Sequence, residues 1–236
     1  QGRKGGAEGR GGLGAPAAVV GRVGAIQDDA SDVRREAADA LGDLGDPSAV
    51  AGLVEALQDD ASDVRREAAD ALGDLGDPSA VAGLTAAMRD EARDVRREVA
   101  DALGDIGDPG AVAALAAAVS DEARDVRREA VESLGEIGGE ARIPALITAM
   151  KDTDPDVRRQ ATDAVSDIGS REAVPALIEA LGDERAQVRR EAADGLGDIA
   201  DPRAVPALIE ALDDPSREVR REAADAFDDL HDPRAI

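Results

Sequence analysis

The sequence predicts an all-α solenoid of antiparallel helix pairs, and three observations support this fold class. The tripeptide Val-Arg-Arg occurs seven times at a constant spacing of 31 residues, without insertion or deletion. A fixed period of this size is typical of repeat arrays, in which each unit buries its apolar face only against its neighbours. Within a unit, apolar residues recur at helical spacing, and Asp-Pro and Gly mark the expected helix ends. The tripeptides begin at Val33, Val64, Val95, Val126, Val157, Val188 and Val219.

Each unit begins with a helix that we call helix A, illustrated by residues 46–76. Asp46 suits the N-cap position and Pro47 suits the first helical position, so we expect helix A to run from about residue 47 to 58. Later units carry Pro144, Pro175 and Pro206 near the start of this helix. A proline there is expected to bend helix A or to delay its start.

Helix B follows after a polar turn, and we expect it to span residues 63–75 in the same unit. Val64, Ala68 and Leu72 form one apolar stripe at three- to four-residue spacing. Gly76 stands where a left-handed residue commonly ends a helix. The stripes are rich in Ala and Leu, so burial should come from stacking of units rather than from one central core.

The repeat divides the chain into seven units and two end segments. Residues 1–14 are rich in glycine and are expected to form a flexible tail. Residues 232–236 repeat the beginning of a unit, so we expect an eighth repeat to start there and the natural protein to continue. The seven units within 15–236 are 15–45, 46–76, 77–107, 108–138, 139–169, 170–200 and 201–231.

Composition limits the possible functions. There are 52 acidic against 28 basic residues, and this net charge of −24 disfavours binding to nucleic acid or to an anionic membrane surface through electrostatic repulsion. The excess of Asp and the scarcity of Lys suggest a halophilic archaeon, although a genome rich in G and C is an alternative. The absence of Cys excludes disulfides and thiolate sites and is consistent with a cytoplasmic location.

The unit DPxAVxxLxxALxDxxxxVRREAADALGxIG resembles the short HEAT-like repeat named after phycobilisome (bilin) lyases, over residues 16–236. The resemblance implies a right-handed superhelix of the HEAT/armadillo type, with the B helices lining a concave face that usually binds protein. It also leaves open an alternative function, because some relatives attach bilins to phycobiliproteins.

The first arginine of each Val-Arg-Arg lies in the first turn of helix B, where its charge opposes the helix dipole. HEAT-like repeats carry an Asp–Arg ladder between successive units, and the resemblance implies one here; ligand binding is the alternative. The predicted ladder comprises Arg34, Asp63, Arg65, Asp94, Arg96, Asp125, Arg127, Asp156, Arg158, Arg189 and Arg220.

The remaining polar face of helix B is the candidate protein-binding surface. Its residues hardly change between units, so a solvated charged face is the alternative interpretation. In the binding interpretation, the arginines contact carboxylates or carbonyl groups of a partner. The face comprises Arg35, Arg66, Asp70, Arg97, Asp101, Arg128, Glu132, Arg159, Asp163, Arg190, Asp194 and Arg221.

The sequence favours a non-enzymatic protein-binding scaffold or regulatory adaptor with no cofactor, catalytic or metal site. Its single histidine, His231, has no metal-ligand partner motif, and acidic pairs such as Asp59-Asp60 and Asp213-Asp214 are interpreted as solvated turns. Two alternatives remain: a bilin lyase or bilin-handling protein, and a structural segment of a larger protein. The identity of the partner protein is not encoded in any motif.

Overall fold

A computed structural model of the chain describes residue 21 and residues 23–230. The tail predicted at 1–14, His231 and the beginning of an eighth repeat at 232–236 therefore lie outside the described residues. In the described part of the chain the regular structure is helical throughout, as the sequence predicts. Residues 23–25 belong to helix A of the first repeat.

From residue 31 to residue 230 the described chain forms thirteen α-helices, which alternate between B helices (odd numbers) and A helices (even numbers). The B helices are α1 (Ser31–Gly42), α3 (Ser62–Leu75), α5 (Arg93–Ile106), α7 (Arg124–Glu136), α9 (Pro155–Ile168), α11 (Ala186–Ile199) and α13 (Arg217–Leu230). The A helices are α2 (Val50–Ala56), α4 (Val81–Ala87), α6 (Val112–Ala118), α8 (Ile143–Ala149), α10 (Val174–Ala180) and α12 (Val205–Ala211).

The helices belong to two compact units, residues 1–102 and residues 103–236. Within each unit A helices pack on the B helices that follow them, and neighbouring B helices pack on each other. In unit 1, for example, α3 contacts both α2 and α1; in unit 2, α11 contacts α10, α9 and α13. This pairwise stacking is the arrangement of an α-solenoid.

The N-terminal end of helix A follows the sequence prediction. Asp46 caps the helix by accepting the N–H of Ser48 at 3.0 Å, and a 3₁₀ turn, Pro47–Ala49, leads into α2. The same arrangement recurs at Asp77, Asp108 and Asp201. The N-cap prediction is confirmed at these four positions.

The prolines expected to delay helix A do not do so. Pro144 is the second residue of α8, and α8 begins at the same place in its repeat as α2 does. Pro175 and Pro206 occupy the same position in α10 and α12. The first turn of a helix has no intrahelical acceptors for its N–H groups, so a proline there removes no hydrogen bond.

The apolar core is a thin layer between the helices. Leu53, Leu84 and Leu115 of the A helices and Leu72 and Leu103 of the B helices are completely buried. Burying one such side chain stabilises the fold by roughly 1.5–3 kcal/mol. Because most other buried positions are Ala or Val, the layer stays thin and each repeat depends on its neighbours.

Neighbouring B helices approach closely because one residue at each crossing is very small. A Cβ added to Gly104 would lie 2.8 Å from the Ser133 side chain, and one added to Gly42 would lie 3.0 Å from Ala71. Gly104 and Gly42 both lie on the first helix of their pair. At the crossing of α9 and α11 the glycine lies on the second helix instead, because Gly195 of α11 faces Ser166 of α9. Each of these three crossings therefore has a glycine on one side only.

The reversed positions of Gly195 and Ser166 predict how substitutions at this crossing change stability. Replacing Gly195 by Ala puts a Cβ about 2.1 Å from Ser166 Oγ, so the helices must separate, at a cost of about 1–3 kcal/mol in the free energy of unfolding. The double variant Ser166→Gly/Gly195→Ala recreates the arrangement at Gly42 and Ala71, and we expect it to recover most of the loss. Urea denaturation of the single and double variants measures the coupling.

Gly135→Ala is the matched control, because its added Cβ meets Ala164 at an ordinary 3.6 Å. We expect this variant to be at least as stable as the parent, since Ala favours the helix over Gly by about 1 kcal/mol. Additive effects of Ser166→Gly and Gly195→Ala would contradict the packing explanation.

Candidate functional site

In five repeats the first arginine of Val-Arg-Arg binds an aspartate of the next repeat with two hydrogen bonds. Arg65 donates from Nε to Asp90 Oδ2 at 2.6 Å and from Nη2 to Asp90 Oδ1 at 2.9 Å. Both side chains of this pair are 9% exposed. The same two-bond geometry joins Arg34 to Asp59, Arg127 to Asp152, Arg158 to Asp183 and Arg189 to Asp214.

The same guanidinium group also holds the turn of its own repeat. Arg65 Nη1 donates to the carbonyl oxygens of Asp59 at 2.8 Å and Asp60 at 3.2 Å, in the turn between α2 and α3. Arg96 and Arg220 contact their own turns in this way. We call the guanidinium with its two turns the Arg–Asp clamp. It explains how an arginine is tolerated at a helix N-terminus, because its charge is neutralised by a carboxylate and by carbonyl oxygens.

The aspartate of the clamp also shapes the turn in which it lies. Asp90 Oδ1 accepts the N–H of Ala92 at 2.8 Å, which fixes the chain just before α5. Equivalent bonds are made by Asp28, Asp59, Asp121, Asp152, Asp183 and Asp214. One carboxylate therefore satisfies a backbone donor of its own repeat and the arginine of the preceding one.

The acidic partners differ from those expected. Asp63 accepts the N–H of its neighbour Val64, Asp94 pairs with Arg93, and Asp156 pairs with the exposed Arg124. These aspartates, like Asp125, lie at the start of a B helix, whereas the clamp arginine points back toward the turns between helices A and B. Asp59 and Asp214, expected to be solvated, are instead clamp residues whose side chains are 10% and 8% exposed.

A sequence signal for the correct partners exists. Aspartate occurs without exception at 28, 59, 90, 121, 152, 183 and 214, with the period of the repeat. The residue before Val-Arg-Arg is less constant, because it becomes Gln187 and Glu218 in the last two units.

The clamp changes the acidity of its carboxyl groups. The hydrogen bond from Arg34 lowers the pKa of Asp59, and the hydrogen bond from Arg189 lowers that of Asp214. For Asp90, Asp152 and Asp183, burial raises the pKa, but the arginine and the backbone N–H together outweigh it and the pKa is lowered. All five carboxyl groups are therefore held in the charged form.

The second arginine of each Val-Arg-Arg belongs to the B-helix face and is largely paired within the protein. Arg66 contacts the buried Glu67 at 2.9 Å and the buried Glu98 of the next repeat at 3.7 Å. Arg97 contacts Glu98 at 2.8 Å, and Arg35 lies 3.7 Å from Glu67. Further pairs are Arg128–Glu129, Arg190–Glu191 and Arg221–Glu222.

Beside these second arginines, which we call the arginine line, lie two rows of acids, all of them exposed except the half-buried Asp101. The first row is Asp39, Asp70, Asp101, Glu132, Asp163, Asp194 and Asp225; the second is Asp43, Asp74, Asp105, Glu136, Asp167 and Asp198. In the second repeat, for example, this face carries one arginine, Arg66, and the carboxylates of Glu67, Asp70 and Asp74. The face of one repeat therefore has two negative charges in excess. Burial, and then the neighbouring Asp74, raises the pKa of Asp70; burial, and then Glu222, raises that of Asp194.

Arg159 is the exception in the arginine line. The following residue is Gln160 rather than Glu, and the Gln160 amide donates to Glu132 Oε2 at 3.1 Å instead. Arg159 is half-buried and forms no hydrogen bond or ion pair with any described residue.

The described residues include neither a metal-binding cluster nor a membrane-spanning helix. No group of three or more His, Asp or Glu side chains is arranged there to hold a metal ion. None of the helices described combines the length and the apolar character required to cross a bilayer.

Comparison with known proteins identifies the repeat. The family described as HEAT repeats matches residues 20–100, 81–166, 113–193 and 143–228. An engineered protein of solved structure is 25% identical, with a TM-score of 0.61, and the match covers 90% of this chain and 68% of that one. No curated protein matches this chain.

Two natural proteins show the same fold at lower identity. The complex of CpcE and CpcF of phycocyanin lyase from Nostoc sp. PCC7120 is 23% identical with a TM-score of 0.56, over 98% of this chain and 99% of that one. The Escherichia coli protein YibA is 21% identical with a TM-score of 0.57, over 97% and 99%.

The clamp predicts a large difference between adjacent arginines. Arg158→Ala leaves Asp183 buried without its cation, so we expect the free energy of unfolding to fall by about 2–4 kcal/mol. Arg159→Ala removes the same side chain one position later and should change it by less than about 0.5 kcal/mol. Thermal and urea denaturation of both variants provide the test, and equal losses would show that the clamp does not hold the repeats together.

Some acids have a raised pKa and others a lowered pKa, and together they predict that stability passes through a maximum as the pH falls. The pKa of Asp70, Glu98 and Asp194 is raised, so each costs stability at neutral pH and the cost is relieved as pH falls through its folded pKa. The pKa of Asp59 is lowered below its ordinary 3.8, so its contribution is complete above that value and is lost as pH falls through the folded pKa. Urea midpoints should therefore rise slightly below neutral pH and then drop.

Variants separate the two contributions. Asp70→Asn/Asp194→Asn should diminish the rise, whereas Asp59→Asn should lower stability at pH 7 and flatten the acid decline. A midpoint that falls steadily from pH 7, unaffected by Asp70→Asn/Asp194→Asn, would contradict the assignment.

Proposed function

We propose that this chain, which belongs to the HEAT-repeat family, is a non-enzymatic protein-binding scaffold whose B-helix face receives a partner with a cationic surface. The observation that carries the proposal is the charge arrangement of that face. Its arginines are largely paired with buried glutamates of the protein itself, and the remaining charge of the face is negative and lies in two rows of carboxylates.

This arrangement changes the expected role of the arginines. Arg66 already contacts Glu67, and Arg97 already contacts Glu98. The two glutamates are only 7% and 6% exposed, and the arginines compensate their negative charge. Recruiting either arginine to a partner carboxylate would leave a buried glutamate without its cation, at considerable cost. The arginines therefore support the face, and the exposed acids are the groups available to a partner.

The A helices carry fewer exposed acids than the B helices, so the two rows distinguish the B-helix face from the A-helix side of the repeat. Exposed positions of α2 are Ala51 and Glu55, and those of α6 are Ala113 and Ala117. An acidic surface that served hydration alone would be expected on both sides of the repeat.

Such a face binds through many weak contacts. An exposed ion pair contributes about 0.2–1 kcal/mol, so useful affinity requires a partner segment that spans several repeats. Binding of this kind is fast and weakens with salt. We propose a protein partner in the cytoplasm. The likeness to CpcE and CpcF is one of fold alone, so it supports a repeat scaffold without bringing bilin chemistry to this chain.

The test uses a fluorescent lysine-rich peptide and measures its affinity by anisotropy at several salt concentrations. The variant Asp39→Asn/Asp70→Asn removes two exposed charges from the B-helix face. We expect its affinity to fall about fivefold at low salt, the effect of two exposed ion pairs.

The matched control is Asp60→Asn/Glu91→Gln, which removes the same charge from the turns between helices A and B. These side chains are 91% and 93% exposed, and the clamp residues Asp59 and Asp90 stay intact. Affinity should be almost unchanged in the control. Equal losses in both variants would show attraction by net charge alone, and no binding at low salt would refute the proposed function.

A further inference from the structure

The connection between the fourth and fifth repeats breaks the regular pattern. Helix α7 ends at Glu136, one residue short of the length seen in α5 and α9, and Ile137 is extended. The residue before α8's 3₁₀ turn is Gly139, with φ of 98°, in place of the capping aspartate found at Asp108. The end of α7 therefore lacks the Asp-Pro connection that begins helix A at Asp46, Asp77, Asp108 and Asp201.

Arg142 takes over at this connection. Its Nη1 donates to the carbonyl oxygens of Leu134, at 3.0 Å, and of Gly135, which lie in the last turn of α7. Its Nε atom is buried without a hydrogen-bond partner among the described residues. Burial also lowers the pKa of this guanidinium.

The adjoining B helices, α7 and α9, leave a groove between them. A Cβ added to Gly135 would lie 3.6 Å from the Ala164 side chain. At another crossing in the same unit, a Cβ added to Gly104 would lie only 2.8 Å from the Ser133 side chain. The groove has a volume of about 360 Å³. Its polar lining is Glu132, Glu136, Arg142, Gln160, Asp163 and Asp167.

The unpaired arginine of the B-helix face lies next to this groove in the sequence. Gln160 lines the groove and turns its amide to Glu132, so Arg159 lacks the glutamate that pairs with Arg66, Arg97 and Arg190. The fifth repeat thus presents an acid-lined groove and an unpaired cation together.

We infer that this junction sets the register of the partner, with one Lys or Arg side chain of the partner segment in the groove and a carboxylate of the same segment on Arg159. The inference rests on the proposed function. A periodic acidic face offers a cationic segment an equivalent position every 31 residues, so it cannot fix one alignment by itself. A partner carboxylate would meet repulsion from the exposed acids elsewhere on the face and attraction at Arg159.

The test compares two labelled peptides of alternating Lys and Gly, one with Glu and one with Gln at the centre. The parent chain should bind the Glu peptide about threefold more tightly than the Gln peptide, although the Glu peptide carries less positive charge. Gln160→Glu restores the missing partner of Arg159, so the preference should disappear or reverse. Arg159→Ala should have the same effect, and the matched Arg128→Ala should leave the preference unchanged.

The groove is tested with Glu132→Gln/Asp163→Asn against the equivalent exposed pair Asp39→Asn/Asp70→Asn. If the junction sets the register, the first pair weakens the Glu peptide more than the second pair does. Binding of both peptides without preference, or equal losses from the two pairs, would overturn the inference and leave the proposed function standing. Failure of both peptides to bind at low salt would refute the proposed function itself.

Discussion

The bond between an arginine at the start of one B helix and an aspartate in the next turn is the interaction on which the stack depends. The aspartate accepts a backbone N–H of its own turn and two N–H groups of the preceding arginine. The Nη1 atom of the arginine donates to the carbonyl oxygens of its own turn. A single ion pair therefore fixes two turns and the distance between them. Because the pair is largely desolvated and fully hydrogen-bonded, it avoids the uncompensated burial that makes many buried ion pairs costly.

The same logic extends to the B-helix face. Buried Glu67 and Glu98 would be unstable alone in a crowded acidic surface, and burial does raise the pKa of Glu98. Arg66 contacts both glutamates and so joins two repeats through a second, weaker set of ion pairs. The carboxylates left over repel one another, and dissolved salt or a cationic partner reduces that repulsion. The excess charge therefore lowers stability, and the proposed binding depends on the same charge.

The regular repeat stabilises the stack, but it makes one repeat hard to distinguish from another. Three crossings of B helices use the same small residues, and at Ser166 and Gly195 the glycine has simply changed sides. The fourth and fifth repeats depart from this rule in their connection, helix spacing and pairing of Arg159. A departure of this kind distinguishes one position from all others, which a repeating surface otherwise cannot do.

The sequence by itself determined the features that depend on short range. Helix type, the N-cap at Asp46 and the left-handed Gly76 follow from residues a few positions apart, and the period of 31 residues predicts the stacking of helix pairs. Only the tertiary structure decided which acid meets each arginine, because the partner lies 25 residues ahead in a turn brought close by stacking. It likewise decided that Glu67 is buried while Asp70 is exposed, although both belong to the polar side of one helix. The groove beside Gly135 depends on the separation of two helices, a distance set by packing of the whole repeat and by the irregular connection at Gly139.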